Sequence, residues 1–437
     1  MQIPPVYQKV ANIFEENGYQ CFLVGGAIRD MLMSRRVGDY DIATDARAED
    51  LMRLFRKVIP TGLKHGTVTV LFLGTQFEVT TFRIEGKYRD GRRPDRVTFT
   101  PSILEDLKRR DFTMNAIAYD LIRKELLDPH NGISDLKTGT IRAIDDPVAR
   151  FREDGLRPIR ACRFAAQFGF AIEENTRASI GKSLSTVAKV STERVRDELC
   201  RMLTADTPSR GFKLLEETGI LRLVIPELHD CVCTPIDGVP QASPFMHVLA
   251  LCDAVVGSEL HLRLAALLHQ SDTGQGQEPA HTARRILRRL KFPNATVFRV
   301  CHLIANQIPA DICHWDDVEL RRFMSRAGRQ AIGELITLKA AHQTIEPSEA
   351  CSTAQLEELS LRIDEILTRK DPLSIGDLRI NGRDLMERLG LRSGPSVGRI
   401  LGALLDAVLA DPVRNRPTTL LQIAHRWYCT HRRPPGR

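Results

Sequence analysis

The stretch that decides the fold is residues 22–45, FLVGGAIRDMLMSRRVGDYDIATD. Its opening apolar run predicts a buried strand, and Gly25 and Gly26 end that strand. A short amphipathic helix follows, and after a basic loop a second strand is predicted to carry Asp39 and Asp41. Because alternate side chains of a strand share a face, we expect the two carboxylates to point the same way.

Two neighbouring carboxylates repel each other unless a cation lies between them, and hard oxygen ligands favour magnesium. A Gly-Gly turn lets backbone amides approach an anion, and the helix N-terminus behind it adds a favourable dipole. Taken singly, each feature is more often an ordinary turn or a solvated surface pair. Their combination on a strand–turn–helix–strand pattern predicts phosphoryl or nucleotidyl transfer.

The composition limits the class of protein. At 437 residues the chain exceeds one ordinary domain, and 43% hydrophobic residues suffice for buried cores, while 6% aromatic residues favour helical packing. The formal charge of +7 is compatible with nucleic-acid binding. No signal-peptide pattern and no run near the ~18 apolar residues of a membrane helix occur. The ten cysteines lack the usual zinc spacing. We therefore expect a cytoplasmic protein without a membrane partner and with reduced thiols.

A third carboxylate, Glu78, lies on a predicted strand over residues 77–83. Glu78 would belong to the acidic site if its strand lies beside the strand that carries Asp39 and Asp41. An ordinary exposed glutamate on a strand explains its position equally well. Residues 84–96 are polar and glycine-punctuated, which predicts a mobile loop. Residues 126–145 are interpreted as turns and a closing hairpin.

Polar residues interrupt the apolar stretch 105–120. Asp111 is suited to accept a ribose hydroxyl, and Arg110 is suited to meet phosphate. Asp111 as the N-cap of a helix that begins at Thr113 is the alternative, and the two roles are compatible.

A further group of charges follows at residues 152–164. Four of its side chains lie within about 120° of a predicted helix: Glu153, Asp154, Arg157 and Arg160. An Asp–Arg pair can present a donor and an acceptor to a base edge, but ordinary salt bridges along a solvated helix explain the same pattern. Since Pro158 is tolerated only in a first turn, we expect the helix to begin near residues 154–155.

Three motifs together resemble the signature of class II nucleotidyltransferases, which include tRNA CCA-adding enzymes and bacterial poly(A) polymerases within the polymerase-β-like superfamily. They are GGxxRD with GDxD at residues 25–41, RRDFTxNA at 109–116, and EDxxR at 153–157. The resemblance extends over most of the chain.

The resemblance implies an α+β fold, in which a polymerase-β-like nucleotidyltransferase head with a small mixed sheet precedes an all-α neck, body and tail. The predicted boundaries are 1–146 for the catalytic head, 147–210 for the neck with its base-recognition motif, 211–345 for a body that resembles a degenerate His-Asp domain, and 346–437 for a tRNA-binding tail. The implied activity is template-independent addition of CCA to the tRNA 3′ end from CTP and ATP, with Mg²⁺ as cofactor.

The resemblance also assigns roles to residues. Asp39 and Asp41 are the metal ligands for two magnesium ions, and Glu78 is a further catalytic candidate. The nucleotide-binding candidates are Gly25, Gly26, Arg29, Arg110, Asp111, Asn115, Glu153, Asp154, Arg157, Arg160 and Arg163.

Residues 245–302 resemble a His-Asp phosphohydrolase domain through His247, His269, His281 and His302. Gln270 stands where that domain has its aspartate, so we expect the metal-dependent phosphatase activity to be lost.

Three other functions remain open at this point: a tRNA nucleotidyltransferase that adds only A, a bacterial poly(A) polymerase, and a non-catalytic tRNA-binding protein. The stretch from Gly62 to Val68 and the loop from Glu85 to Arg92 resemble those of CCA-adding enzymes. The intact Asp39 and Asp41 disfavour a non-catalytic protein, and the oligomeric state is left open.

Overall fold

The computed structural model describes residues 3–86, 97–232, 243–255, 257, 259–270, 278–346 and 351–431. Most of the predicted loop at 84–96 lies outside the described residues. The chain divides into two units, one of residues 1–233 with 289–291 and the other of residues 234–288 with 292–437. The four predicted domain boundaries stay a prediction.

All strands of the described chain lie in the first unit. They are β1 (Phe22–Val24), β2 (Asp41–Thr44), β3 (Val58–Gly62), β4 (Thr67–Phe72), β5 (Thr75–Thr81), β6 (Arg83–Glu85), β7 (Val97–Phe99), β8 (Ala118–Asp120), β9 (Glu125–Leu127), β10 (Thr140–Ile141) and β11 (Ala171–Ile172).

Helices of the first unit surround and follow these strands. They are α1 (Pro5–Glu16), α2 (Gly26–Leu32), α3 (Ala48–Leu54), α4 (Ile103–Lys108), α5 (Gly132–Thr138), α6 (Pro147–Glu153), α7 (Leu156–Phe168), α8 (Glu174–Gly181), α9 (Leu184–Val187), α10 (Thr192–Leu203), α11 (Pro208–Glu217), α12 (Ile220–Val224) and α13 (Pro226–Asp230).

From residue 243 onward the described chain is helical. Its helices are α14 (Pro244–Ala254), α15 (Leu260–Leu268), α16 (Pro279–Arg289), α17 (Asn294–Ala305), α18 (Asp317–Ala327), α19 (Ile332–Ile345), α20 (Thr353–Thr368), α21 (Gly382–Leu389), α22 (Pro395–Ala410) and α23 (Pro417–His431).

The main sheet has the strand order β3-β4-β5-β2-β1-β8-β9. Strands β2 and β5 are parallel and the other neighbours are antiparallel, so the sheet is mixed as predicted. Both faces of its centre are covered: Leu23 and Ile42 belong to one buried cluster, while Phe22, Val24 and Ala43 belong to another. Double-sided burial explains why β1 is an unbroken apolar run rather than an alternating one.

Pairing of strand β1 with its two neighbours, β2 and β8, positions the site. Val24, its last residue, lies opposite Asp41 on one side and opposite Ala118 on the other. The Gly-Gly turn after Val24, the start of β2 and the segment that leads into β8 therefore meet at one edge of the sheet.

Several local predictions for the head are wrong. Strand β2 begins at Asp41, so Asp39 precedes the strand instead of alternating along it. Residues 126–145 form no closing hairpin, because they contain helix α5, and strand β10 pairs in parallel with β11. The side chain of Asp128 accepts hydrogen bonds from the first backbone amides of that helix, at 2.7 and 2.9 Å, which stabilises its start.

The charged group at residues 153–160 does not lie on one continuous helix. Helix α6 ends at Glu153, Asp154 is extended, and α7 starts after Gly155, as the position of Pro158 predicts. The break has a packing cause: a Cβ on Gly155 would lie 2.4 Å from the carbonyl oxygen of Thr186. The shared helix face proposed from the sequence is therefore wrong.

The second unit contains a disulfide and a separate buried apolar cluster. A disulfide joins Cys313 to Cys351, so the expectation that all thiols are reduced is wrong. Helices α21 to α23 share a buried apolar cluster that includes Leu385, Leu404 and Leu420. Within the described ranges of both units, no helix is long and apolar enough to cross a membrane.

Candidate active site

A cavity of about 670 Å³ opens at the sheet edge described above. It is lined by Gly25, Gly26, Arg29, Asp41, His65, Arg83, Arg109, Arg110, Asp111, Asn115, Asp154, Arg157, Arg160, Arg163, Phe164, Arg194 and Arg201. Nine of these residues are arginines and three are aspartates, so the cavity suits a polyanion.

The Gly-Gly turn brings backbone close to a guanidinium. Gly25 has a φ of +70°, which favours glycine, and a Cβ there would lie 2.9 Å from Nη1 of Arg110. Arg110 approaches this turn because its Nη2 is 3.3 Å from the buried carboxylate of Asp106. The same carboxylate binds Arg109 at 2.9 Å. Asp106 thus fixes two arginines, and no sequence motif singles it out.

The acidic residues lie together but are not equally exposed to the cavity. Asp41 lines it, whereas Asp39 and Glu78 do not. The condition set for Glu78 is met, because β5 pairs with β2 and Val79 lies opposite Ile42. Burial and the nearby charges of Glu78 and Asp39 raise the pKa of Asp41, although Arg110 opposes the shift. The three carboxylates therefore form an electrostatically unfavourable group.

A chain of hydrogen bonds ties the second motif to the first. Arg29 donates to the side-chain oxygen of Asn115 at 2.7 Å, and Asn115 donates to Asp111 at 2.9 Å. The other oxygen of Asp111 accepts from Arg160 at 2.8 Å. Burial would raise the pKa of Asp111, but Arg160, Asn115 and neighbouring groups lower it to about 2. Asp111 is therefore ionised, and it accepts a hydrogen bond from the Phe112 amide rather than capping a helix that begins at Thr113.

The chain of polar contacts continues into helix α10. Glu198 accepts a hydrogen bond from Arg163 at 2.5 Å and lies 4.0 Å from Arg160. Arg163 also stacks on the ring of Phe164, 3.8 Å from its centroid. Because Glu198 is buried, it holds both arginines in fixed positions at the cavity wall.

The base-recognition candidates pair differently from the sequence prediction. Asp154 binds Arg194 through two hydrogen bonds of 2.6 and 3.1 Å, rather than pairing with Arg157. Arg157 binds Glu153 at 2.5 Å. Its guanidinium also donates to the carbonyl oxygens of Arg150 and Arg109, both at 2.9 Å. Glu153 does not line the cavity.

Three family models match the chain. They are the Poly A polymerase head domain over residues 21–142, the "Probable RNA and SrmB- binding site of polymerase A" over residues 169–232, and tRNA nucleotidyltransferase domain 2 over residues 275–424.

Similar proteins match almost end to end. The CCA-adding enzyme of Geobacillus stearothermophilus is 34% identical over 426 residues, which cover 94% of this chain and 95% of that enzyme. That of Geobacillus sp. strain WCH70 is 35% identical over 434 residues and covers 96% of each chain. The crystal structure of the Bacillus stearothermophilus CCA-adding enzyme in complex with CTP superposes with a TM-score of 0.77 and 30% identity, covering 98% of this chain and 99% of that one.

The chain belongs to the CCA-adding enzyme family. The predicted family, the α+β fold with its helical continuation, and the nucleotidyltransferase class are confirmed. A CCA-adding enzyme uses a divalent metal ion, and Asp41, which lines the cavity next to two further carboxylates, fits one.

Most of the nucleotide-binding candidates line the cavity of this CCA-adding family member. Six further residues line the cavity and were not predicted as site residues: His65, Arg83, Arg109, Phe164, Arg194 and Arg201. One usable signal existed: Arg194 and Arg201 are seven residues apart on α10, which places them on the same helix face.

Proposed function

We propose that this chain adds C, C and A in turn to the 3′ end of tRNA, with CTP and ATP as donors. In each step the 3′-hydroxyl oxygen bonds to the α-phosphorus, the bond to pyrophosphate breaks, and the hydroxyl proton is released. The observation that carries this proposal is the cavity itself. It is lined by nine arginines and by Asp41, a carboxylate with a raised pKa.

The metal proposed for this site is magnesium, held by Asp39 and Asp41. The fit is chemical, since burial and the neighbouring charges of Glu78 and Asp39 raise the pKa of Asp41, and a hard cation would offset that unfavourable charge. Magnesium would lower the pKa of the attacking hydroxyl and neutralise charge on the leaving pyrophosphate. Glu78 stays a candidate catalytic residue that acts at the same group of carboxylates.

The triphosphate is proposed to lie against the Gly-Gly turn. Gly25 and Gly26 allow close approach of backbone amides, and Arg29 provides a buried positive charge beside them. The Nε atom of Arg110 is buried and has no hydrogen-bond partner among the described residues. A phosphate oxygen would satisfy that donor, which supports the predicted role of Arg110.

Recognition of the ribose and the base is proposed for three other residues of the cavity, Asp111, Asp154 and Arg157. Asp111, held ionised by Arg160 and Asn115, accepts a ribose hydroxyl. Asp154 and Arg157 select the base, because their pairing with Arg194 and Glu153 fixes where their remaining polar atoms point. Arg160 and Arg163 line the same wall and counter the charge of the nucleotide.

The test is incorporation of labelled CTP and ATP into three tRNAs that end at the discriminator base, in C and in CC. Addition of C, C and A to the first substrate, and of only the missing nucleotides to the others, is the expected result. Addition of ATP only to the CC-ended tRNA would replace the proposal with an A-adding enzyme. Long A tails would mean a poly(A) polymerase, and binding without incorporation would mean a non-catalytic protein.

Asp39→Ala and Asp41→Ala provide the matched loss-of-function controls. We expect neither variant to incorporate nucleotide while both keep the wild-type circular dichroism spectrum. A cytoplasmic location remains a prediction alongside this function.

A further inference from the structure

Three histidines of the second unit meet in its helical core, far along the chain from the nucleotidyl-transfer residues. They are His247 on α14, His269 directly after α15, and His342 on α19. One ring nitrogen from each lies within 4.8 Å of the others. His247 and His269 are each 8% exposed, so more than nine tenths of each side chain is buried.

Hydrogen bonds on the far side of two rings fix their protonation. The Nδ1 atom of His269 lies 2.9 Å from the carbonyl oxygen of Ala266, so Nδ1 carries the proton and donates it. The Nδ1 atom of His247 lies 3.0 Å from a carboxylate oxygen of Glu346 and is protonated for the same reason. The Nε2 atom of each ring is then left with a lone pair.

Those two Nε2 atoms are buried and have no hydrogen-bond partner among the described residues. Burial lowers the pKa of His269 to about 4, and the neighbouring imidazoles oppose its protonation further. Buried nitrogen lone pairs without a hydrogen-bond donor are unfavourable, and a bound cation would satisfy them.

We propose that His247, His269 and His342 form a binding site for one divalent transition-metal ion, with zinc as the expected occupant. Neutral imidazoles suit zinc better than magnesium, which prefers oxygen ligands. A protonated Nδ1 held by a carboxylate or a carbonyl is the usual support for a metal-bound histidine. Zn–N bonds of about 2.0–2.1 Å place tetrahedral ligands about 3.3 Å apart, so the ring nitrogens approach one another by at most about 1.5 Å on binding.

The fourth coordination position is left to water or a small anion. Within the described part of the chain, no fourth histidine, cysteine or carboxylate joins the three-histidine group. His269 and His342 also line a cavity of about 230 Å³, whose other polar lining residues are Gln307 and Lys339. Three protein ligands with an open position facing a cavity are the arrangement of reactive rather than purely structural zinc sites.

This site shares His247 and His269 with the resemblance to a His-Asp domain, but its third ligand is different. His281 is exposed, and Nε2 of His302 lies 2.6 Å from the carbonyl oxygen of Ala327, so neither belongs to the group. His342, which the sequence did not single out, supplies the third ligand. The ligand set is therefore all nitrogen, which does not need the aspartate that Gln270 replaces.

The test measures zinc retained by the full chain. The protein is stripped with a chelator, loaded with zinc, passed through a desalting column against a weak competing chelator, and analysed by mass spectrometry for metal. We expect one zinc per chain, and Asp39→Ala/Asp41→Ala should retain it, which separates this site from the proposed magnesium site. Cobalt in place of zinc should give the intense visible absorption of a tetrahedral nitrogen site.

Four variants make the assignment specific. His269→Ala and the half-buried His342→Gln should each weaken zinc binding by more than ~100-fold, and Glu346→Gln, which changes only the support of His247, by ~10–100-fold. His281→Ala should bind like the wild type. Because Glu346 and His342 are partly exposed, their variants test the site even if His269→Ala fails to fold. A wild type without retained zinc, or variants that retain it equally, would overturn the proposal.

Discussion

Asp41 is kept in an electrostatically unfavourable position. Burial and the charges of Glu78 and Asp39 raise the pKa of its carboxyl, so its ionised form destabilises the folded chain at neutral pH. We therefore expect Asp41→Asn to abolish nucleotide addition while raising the thermal midpoint in the absence of metal. Differential scanning calorimetry with EDTA measures this, with the exposed Asp197→Asn as control. A lower midpoint for Asp41→Asn would contradict the argument.

The same raised pKa predicts how magnesium and pH interact. The metal binds only the ionised carboxylate, so protons compete with it as the pH falls through the raised pKa. The magnesium concentration needed for half-maximal addition should therefore increase as the pH falls, at saturating CTP and tRNA. Magnesium titrations at successive pH values check this. A magnesium requirement that does not change with pH would mean that Asp41 does not hold the ion.

Glu198 is a buried carboxylate that positions two arginines of the nucleotide site. It is 3% exposed and contacts Arg163 and Arg160. Because Glu198→Gln leaves these arginines without their counter-charge, we expect a loss of about 3 kcal/mol in unfolding free energy and an increased KM for CTP. The control is Glu193→Gln on the same helix, where the side chain is 47% exposed. Urea unfolding and initial-rate kinetics measure the two effects, and an unchanged KM would remove Glu198 from the site.

At the scale of elements, the break between α6 and α7 sets the geometry of the base-recognition residues. A Cβ on Gly155 would lie 2.4 Å from the carbonyl oxygen of Thr186, and backbone cannot yield as a flexible side chain does. We expect Gly155→Ala to cost about 1–3 kcal/mol and to blur the choice between CTP and ATP. Gly181→Ala, at the end of α8 with open space around its Cβ position, should be neutral or stabilising. Denaturant unfolding and paired CTP/ATP incorporation assays compare the two variants.

The break between α6 and α7 also shows which features of the fold the sequence cannot predict. Pro158 correctly placed the start of α7, because proline in a first turn is a local constraint. The end of α6 at Glu153 was missed, since residues on both sides of the break favour helix and the cause is Thr186, about 30 residues further along. Local signals fix element types, whereas tertiary contacts fix where two helices separate.

For the whole molecule, the sequence motifs predict which candidate residues lie together better than they predict the buried residues that hold them. Arg29, Asp111 and Asn115 were selected from motifs and form one connected group. The buried carboxylates that hold the neighbouring arginines are Glu198 and Asp106. Neither is predicted from the sequence, because nothing local distinguishes a buried carboxylate on a helix from an exposed one. Which distant residue satisfies a charge is decided by packing.

The two units allow a test of the disulfide between Cys313 and Cys351, which lies wholly in the second unit. Closing a loop of 38 residues removes conformational freedom from the unfolded chain, and the chain-entropy estimate for this is about 3–4 kcal/mol. Cys351→Ser should therefore lower the unfolding midpoint of the second unit. Cys429→Ser, which changes a free exposed cysteine, should not lower it.

The first unit should be unaffected by either change. Its unfolding is followed separately, through its stabilisation by CTP with magnesium. Hydrogen exchange followed by mass spectrometry resolves the units, and equal protection in wild type and Cys351→Ser would mean that the bond does not stabilise the fold.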